Sequence, residues 1–183
     1  MTRIIAGEKR GTQLFTLPGD HTRPTTDRVR EALFGCIQFE IAGAEVLDLF
    51  AGSGALGLEA LSRGAGHAVF CDRYDESVKI IQKNIRKLGY DKRSQVVKND
   101  YIHAIKVFKN TKKFDIVFID PPYKANYYAT AFGLLAEEQV LKPGAILVAE
   151  SDAAVGIVDE RYCIYKNKKY GKTHLTFFRW DKK

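Results

Sequence analysis

From residue 45 onward, short runs typical of buried strands alternate with longer amphipathic stretches. The strand-like runs cover residues 46–50, 68–71, 95–99, 114–119 and 145–149. Between these runs the spacing predicts a helix over 75–88, where apolar residues recur on one face, and another near 126–141. Strands and helices that alternate in this way predict a parallel sheet covered by helices.

The N-terminal end of the chain does not follow this alternation. Residues 4–6 and 13–15 flank a charged, glycine-containing turn, which predicts a short β-hairpin. Thr26 and Asp27 are suited to cap a helix whose apolar positions recur at helical spacing as far as Ile37. We expect the apolar face of this helix to pack against the main domain.

The pattern of the C-terminal residues predicts a second hairpin. The length of the chain limits the number of domains. Residues 162–165 and 175–178 are joined by a polar, glycine-containing stretch, which predicts a closing antiparallel hairpin. A chain of 183 residues suits one domain with a small appendage. We therefore expect an N-terminal extension over residues 1–25 and a main domain over residues 26–183.

The positive charge is concentrated in three segments. The net charge is +7, and residues 1–30, 79–113 and 161–183 carry +3, +9 and +7, while the remainder is acidic. Clustered bases mark a surface for a polyanion, although a lysine-rich block such as 79–113 is more often a solvated helix face. The N-terminal bases are mostly arginines, which bind phosphate as a fork and stack on nucleobases. We predict that they contact nucleic acid: Arg3, Lys9, Arg10, Arg23, Arg28 and Arg30.

The composition excludes several classes of protein. The longest uninterrupted apolar stretch has five residues, at 145–149, whereas a membrane-spanning helix needs about 20. Charge and a glycine follow the first residues, so we expect no secretory signal and a cytoplasmic location. Cys36, Cys71 and Cys163 have no spacing that suggests a disulfide framework or a zinc site. We expect no metal, and we expect these cysteines to be small buried residues.

A glycine-rich loop follows the first predicted strand and precedes a helix. Gly52, Gly54 and Gly57 have the spacing G-x-G-x-x-G, which on its own also fits the dinucleotide of a nicotinamide oxidoreductase. Asp72 follows Gly52 by 20 residues at the end of the next strand, where a carboxylate can accept both hydroxyls of a ribose. Asp48 would repel a pyrophosphate but attract a cationic amino-acid moiety. These residues favour S-adenosylmethionine as the cofactor.

The predicted strand 114–119 runs directly into Asp120, Pro121, Pro122 and Tyr123. The two prolines stiffen the turn and lack an N–H donor. Their carbonyls remain available as acceptors. The exocyclic amine of a nucleobase is a poor nucleophile, and acceptors such as Asp120 and the Pro121 carbonyl can localise its lone pair toward an incoming methyl group. Tyr123 offers a flat surface on which an extruded base can stack. We predict that Asp120, Pro121 and Tyr123 are the catalytic residues.

Two motifs carry a resemblance to known enzymes. Residues 48–54 resemble the first motif of class I methyltransferases, and residues 120–123 resemble the motif of nucleic-acid amino-methyltransferases. Together with residues 3–7, 23–31 and 170–173, they resemble the RsmD-type family over nearly the whole chain. The resemblance implies a Rossmann-like, mostly parallel sheet of seven strands with helices on both faces. It also implies methylation of the N2 amine of guanine 966 in bacterial 16S ribosomal RNA.

The same resemblance implies further contacts to the cofactor and to RNA. Phe50, Arg73, Asp100 and Tyr101 would contact S-adenosylmethionine, and Asp100 would reach the adenine amine. Taken alone, Asp100 could equally cap a helix. The N-terminal bases would then contact RNA. Asp72 stands where glutamate is more usual in the family, but the shorter carboxylate can still reach a ribose.

Two other functions remain open from the sequence. A DNA adenine or cytosine amino-methyltransferase shares the Asp-Pro-Pro-Tyr chemistry, but such enzymes usually need a long target-recognition region that 183 residues cannot accommodate. A non-catalytic RNA-binding module of ribosome assembly could retain the fold but would not need residues 120–123. We expect a monomer whose partner is 16S ribosomal RNA or the assembling small subunit. Because no cysteine lies near either motif, we expect direct methyl transfer without a covalent enzyme intermediate.

Overall fold

A seven-stranded sheet forms the centre of the computed structural model, which describes residues 2–17, 26–122, 126–156 and 159–181. The strands are β1 (Glu45–Asp48), β2 (His67–Asp72), β3 (Ser94–Lys98), β4 (Phe114–Ile119), β5 (Leu141–Ser151), β6 (Tyr162–Tyr170) and β7 (Thr173–Trp180). Their order across the sheet is β3-β2-β1-β4-β5-β7-β6. Neighbouring strands are parallel from β3 to β5, and β7 pairs antiparallel with both β5 and β6. This sheet confirms the predicted parallel core and the closing antiparallel hairpin.

Helices cover both faces of the sheet. They are α1 (Asp27–Cys36), α2 (Ala55–Ser62), α3 (Asp75–Leu88), α4 (Tyr101–Val107) and α5 (Asn126–Glu137), and a 3-10 turn at Asp91–Arg93 precedes β3. Val46 packs with α1, α2 and α3, whereas Leu47 packs with α4 and α5, because successive residues of a strand point to opposite faces. The predicted Rossmann-like α/β fold is confirmed. Within the described ranges, no helix is both long and apolar enough to cross a membrane.

Local signals set the ends of two predicted helices. Thr26 caps α1, and its hydroxyl oxygen accepts a hydrogen bond from Val29 N at 3.3 Å. Helix α3 covers the predicted range and ends at Leu88, and the next residue, Gly89, has a φ of +73°, the left-handed conformation that closes many helices. Its first turn is acidic and its last turn is basic, which complements the helix dipole.

The region around β5 differs from the sequence-based prediction. Helix α5 ends at Glu137 rather than near residue 141, and Gln139 has a positive φ of 55°. Strand β5 begins at Leu141 and continues through Pro143 and a glycine, where a break was predicted. The pairing of β4 with β5 shifts register in this region, so the proline is accommodated in a bulge rather than in a regular ladder.

The N-terminal segment, residues 2–17, pairs its two arms through an isolated bridge between Arg3 and Gln13, too short to form regular strands. Ile4 N donates to Thr12 O at 2.9 Å. The segment inserts Ile4 and Leu14 into the same core as α1, α2 and α3. It is therefore packed on the main body, and the predicted boundary at residue 25 lies outside the described residues.

The expectation that all three cysteines are small buried residues is wrong for two of them. Cys163 is exposed on β6 and Cys36 is partly exposed, while Cys71 is buried at the end of β2. Cys71 directly precedes Asp72, so a cysteine does lie near the glycine motif. Burial raises the pKa of the Cys71 thiol, which keeps it protonated at neutral pH and unsuited to act as a nucleophile. Among the described residues, no three His, Cys, Asp or Glu side chains are grouped to hold a metal ion.

Candidate active site

Four aspartates lie at one edge of the sheet, where the parallel strands end. Asp48 and Asp72 are the last residues of β1 and β2, and Asp120 follows β4. Asp100 follows β3 as the N-cap of α4. The chain changes direction across the sheet between β1 and β4, and open α/β sheets bind ligands at the carboxyl ends of the strands beside such a point. The fold therefore brings the glycine motif and the Asp-Pro-Pro motif side by side.

The glycine loop, residues 51–57, has a backbone that few other residues could adopt. Gly52 and Gly54 have φ values of +55° and +81°, in the left-handed region that favours glycine. No described atom lies within 4 Å of a Cβ built at Gly52, so the space above it is open to a ligand. A Cβ at Gly57 would lie 2.3 Å from the ring of Phe70, so this glycine instead permits close packing of α2 against β2.

Asp72 is tied to the glycine loop by its own side chain. Oδ2 accepts a hydrogen bond from Gly52 N at 2.9 Å, and Oδ1 accepts one from Tyr74 N at 2.9 Å. The side chain is partly exposed, and each carboxylate oxygen has a second lone pair. The orientation of Asp72 is thus fixed while it retains acceptor capacity for hydroxyl groups.

Asp48 is a buried carboxyl group directly beneath the same loop. Its side chain is 2% exposed, and Oδ2 accepts a hydrogen bond from Gly57 N at 3.0 Å. Burial raises the pKa of Asp48 to about 7, the charge of Asp72 adds to the rise, and the Gly57 bond opposes it. A cation at the glycine loop would stabilise the ionised form. These residues therefore fit the cationic amino-acid part of S-adenosylmethionine better than a pyrophosphate.

Three aromatic rings form a cluster at the same edge. The rings of Phe50 and Tyr101 have centroids 5.3 Å apart, and Tyr127 on α5 lies 5.8 Å from Phe50 and 5.5 Å from Tyr101. The structure thus brings together two of the predicted cofactor residues and adds Tyr127, which the sequence analysis missed. The signal for Tyr127 was its position at the start of the helix that follows the Asp-Pro-Pro-Tyr motif.

Two further predicted cofactor residues have local partners. Asp100 accepts hydrogen bonds from Ile102 N at 3.0 Å and His103 N at 3.1 Å, so it does cap α4. Arg73 is exposed, and its guanidinium lies 4.6 Å from the ring centroid of Tyr74. Neither arrangement tests a contact to the cofactor, and both contacts remain predictions.

Asp120 lies in a strongly acidic environment. Burial, Glu150 and Asp48 together raise the pKa of Asp120 well above its ordinary value. Glu150, on the neighbouring strand β5, is 9% exposed and was missed because a single acid in an apolar strand carries no motif. Pro121 follows Asp120 at the site edge and is partly exposed, whereas Tyr123 lies outside the described residues.

The predicted RNA-contacting bases divide into exposed and buried residues. Arg3, Arg10 and Arg28 are exposed, Lys9 is partly exposed, and Arg23 lies outside the described residues. Arg3 pairs with Asp27 at 2.9 Å.

The assignment of Arg30 as an RNA contact is wrong in this structure. Its side chain is 1% exposed and donates hydrogen bonds to the Arg3 carbonyl and to Asp27. The reason is helical spacing, since Arg30 shares the buried face of α1 with Leu33 and Phe34. Arg30 joins the start of α1 to the N-terminal segment rather than contacting a ligand.

Three buried polar side chains hold the N-terminal segment, and sequence reasoning missed all of them. Glu59 on α2 accepts hydrogen bonds from Ile5 N at 2.7 Å and Ala6 N at 3.0 Å. Ser62 accepts from Lys9 N at 3.0 Å. Asn84 on α3 binds both backbone groups of residue 15. The sequence signal that could have identified these side chains is a polar residue at a position where the helical spacing predicts a buried apolar one.

Comparison with known protein sequences identifies relatives that are RNA methyltransferases. The sequence matches the family described as Conserved hypothetical protein 95 over residues 2–179. It is 37% identical over 180 residues to ribosomal RNA small subunit methyltransferase D of Escherichia coli K12, covering 97% of this chain and 89% of that protein. It is 37% identical over 171 residues to the protein of that name from Haemophilus influenzae, covering 92% and 89%.

Solved structures of methyltransferases share the fold of this chain. The Escherichia coli protein yhhF superimposes with a TM-score of 0.89 at 30% identity, covering 100% of this chain and 99% of that chain. An RNA methyltransferase from Salinibacter ruber, solved with S-adenosyl-L-homocysteine, shares the fold with a TM-score of 0.71 at 16% identity, covering 88% and 95%. The chain belongs to the RsmD family of S-adenosylmethionine-dependent RNA methyltransferases.

Proposed function

We propose that the protein methylates the exocyclic N2 amine of a guanine in bacterial 16S ribosomal RNA, at a position of the guanine 966 type. Ribosomal RNA methylation with S-adenosylmethionine as cofactor is the activity of the family. The observation that carries the finer proposal is the adjacency of Asp120 and the glycine loop at the ends of neighbouring strands. This adjacency supports an amine acceptor beside a methyl-donor site.

The residues around the glycine loop are suited to hold the cofactor. Asp48 would attract the cationic amino-acid part, and Asp72 would accept the ribose hydroxyls. The rings of Phe50 and Tyr101 would flank the adenine, with Asp100 at its amine and Arg73 at the outer side. The open space at Gly52 lets the backbone approach the ligand. When bound, S-adenosylmethionine supplies a methyl group made electrophilic by its sulfonium.

The Asp-Pro-Pro-Tyr element is suited to hold the target base. The Watson–Crick edge of guanine presents N1–H and N2–H donors side by side, and an ionised carboxylate is a pure acceptor, so Asp120 matches guanine. Adenine and cytosine present a ring acceptor beside the amine, which a carboxylate would repel. The two guanine donors would favour the ionised form of Asp120 and so lower its pKa from the raised value. Tyr123 would stack on the extruded base.

These acceptors orient the amine rather than remove a proton in advance. The lone pair of the amine is delocalised into the ring, and hydrogen bonds to Asp120 and the Pro121 carbonyl would localise it toward the methyl donor. Once methylated, the amine is strongly acidic and loses its proton readily, so a strong general base is unnecessary. The exposed bases Arg3, Lys9, Arg10 and Arg28, with Arg23, would position the RNA through its phosphates.

Nucleoside mass spectrometry tests the proposal. Free small-subunit RNA and assembled small subunits, each lacking the modification, are incubated with the protein and isotope-labelled S-adenosylmethionine. We expect labelled N2-methylguanosine in at least one substrate and a strongly reduced rate of labelling with the Asp120→Ala variant. Label in adenosine, cytidine or another atom of guanosine would refute the N2 assignment, and label in duplex DNA alone would favour a DNA amino-methyltransferase.

A further inference from the structure

Asn84 contacts both the N-terminal segment and the glycine loop. Its side chain is 0% exposed on the inner face of α3. Oδ1 accepts a hydrogen bond from Phe15 N at 2.8 Å, and Nδ2 donates to Phe15 O at 3.0 Å. The same Nδ2 donates to Ser53 O in the glycine loop at 2.9 Å. One buried amide therefore links two regions that are 31 and 69 residues away from it in sequence.

The geometry leaves little freedom for one region to move without the other. An amide nitrogen has two hydrogens, and here one is directed to each region. If the segment leaves, the acceptor and one donor of a fully buried side chain lose their partners, which is unfavourable in a site shielded from water. If the glycine loop shifts Ser53, the second donor loses its partner. Each region is therefore more stable when the other holds its observed position.

We propose that Asn84 is a positioning residue that couples occupancy of the glycine loop to the order of the N-terminal segment. A ligand that fixes the loop fixes Ser53 O, which holds the Asn84 amide in the orientation that binds residue 15. Coupling between two sites is reciprocal, so RNA held by the segment would favour ligand at the loop to the same extent. The proposal rests on the proposed function in assigning cofactor to the loop and RNA to the segment.

The other anchors of the segment do not share this connection. Ser62 is 3% exposed and, like Asn84, makes two hydrogen bonds to the segment backbone, accepting from Lys9 N and donating to Ala6 O. It lies at the far end of α2, and within the described part of the chain its hydroxyl makes no hydrogen bond to the glycine loop. Ser62→Ala is therefore a matched control that loosens the segment while leaving the amide link to Ser53 intact.

Hydrogen exchange with mass spectrometry on the full chain tests the coupling. Exchange in peptides covering residues 12–17 is measured with and without saturating S-adenosyl-L-homocysteine, with a β6 peptide as the internal reference. We expect the ligand to slow wild-type exchange in 12–17 by about fivefold or more, the lower end of typical coupling between sites. Ser62→Ala should exchange faster throughout the segment but keep the same ratio between the bound and free states.

Two Asn84 variants separate attachment from coupling. Asn84→Ala removes all three hydrogen bonds, whereas Asn84→Asp keeps the acceptor for Phe15 N and loses both Nδ2 hydrogen bonds, to Phe15 O and to Ser53 O. In both, the slowing by the ligand should fall to less than about twofold, below the usual range of coupling. The ligand-induced gain in RNA affinity should be lost in parallel.

The outcomes distinguish this proposal from the proposed function. Unchanged wild-type exchange in 12–17 at saturating ligand, or full slowing in Asn84→Asp, would overturn the coupling whatever base the enzyme methylates. A methylated product other than N2-methylguanosine, with the exchange results as expected, would overturn the base assignment and leave the coupling intact.

Discussion

The glycine loop and the N-terminal segment are both held by hydrogen bonds from their backbones to side chains, but the partners lie at different distances along the chain. The loop binds Asp48 and Asp72, which are 9 and 20 residues from the backbone groups they contact. The segment binds Glu59 and Asn84 across 54 and 69 residues. The loop is thus a product of one β1-loop-α2-β2 unit, whereas the segment depends on helices that are distant from it in sequence.

This difference predicts how each region responds to damage. The loop is bound by aspartates at the ends of two buried strands, β1 and β2, and should lose its shape only when those strands do. The segment has little regular pairing of its own, so its position depends on the burial of Ile4 and Leu14 and on a few buried polar side chains of α1, α2 and α3. Local substitutions should therefore release the segment while the cofactor site persists, apart from the link through Asn84.

The largest expected effect is the loss of turnover in an Asp120 variant. Asp120 lies outside both regions, so this variant is the reference with which variants of the loop and the segment are compared. Asp120→Ala removes an acceptor from the reacting amine, and by analogy with loss of an oxyanion-hole donor it should reduce turnover by about 10²-fold or more. The affinity for S-adenosyl-L-homocysteine should change little. Single-turnover assays on saturated enzyme measure this, and Asp120→Asn, which retains an acceptor oxygen, should keep more activity. A near wild-type rate for Asp120→Ala would remove this residue from the mechanism.

The next largest effect should be the loss of stability when the segment is released from α2. Gly7 and Gly11 provide a variant and a matched control for this test. Gly7 and Gly11 have nearly equal φ values of +82° and +85°. A Cβ at Gly7 would lie 1.8 Å from the Ser62 carbonyl oxygen, whereas no described atom lies within 4 Å of a Cβ at Gly11. Gly11→Ala should therefore lower stability only by backbone strain, about 1–2 kcal/mol. Gly7→Ala should lower it more, with fast hydrogen exchange confined to residues 2–17. Equal effects would show that the contact with α2 is unimportant.

The loop should show its own dependence on pH. The pKa of Asp48 is about 7, and a cation at the loop favours the ionised form, so cofactor binding should release a proton near neutral pH. Affinity for S-adenosylmethionine should fall by about tenfold from pH 8 to pH 6, the dependence expected for one proton. Asp48→Asn should bind more weakly at pH 8 and show little of this dependence. Calorimetry in buffers of different ionisation enthalpy measures the released proton.

Asp48 should also affect stability in the absence of ligand. Between its ordinary pKa of 3.8 and its raised pKa of about 7, the folded protein binds this proton more tightly than the unfolded chain does. The contribution of Asp48 to the free energy of unfolding therefore falls as pH rises through this window. Urea unfolding across the window should show a flatter profile for Asp48→Asn, and parallel profiles would contradict the assignment.

The smallest expected effects concern single exposed bases of the proposed RNA surface. Arg10→Ala and Arg28→Ala should each weaken RNA binding severalfold at moderate salt and reduce the salt slope of log affinity by about 1. Lys109→Ala, on the opposite face of the sheet, is a charge-matched control that should leave the slope unchanged. Filter binding over a salt series measures the slope. An identical slope for all three variants would remove these arginines from the RNA surface.

The sequence was sufficient to predict the loop because its determinants are local. The strand, the glycine spacing and Asp72 at the end of the next strand all follow from periodicities read within short windows. The anchors of the segment could not be located this way, because no local pattern says which backbone group Asn84 or Glu59 will meet. Arg30 shows the converse error, since its charge indicated the surface while its helical spacing with Leu33 and Phe34 determined its burial.

The long separation between the N-terminal segment and its anchors has a consequence during translation. Residue 15 leaves the peptidyl transferase centre well before Asn84 exists, and at about 5–20 residues per second the 69 intervening positions take about 3–14 s. Contacts this distant in sequence also form late in folding, because the entropy of closing the chain must be overcome first. The N-terminal segment of a nascent chain therefore cannot complete its attachment to the domain until α3 has been made.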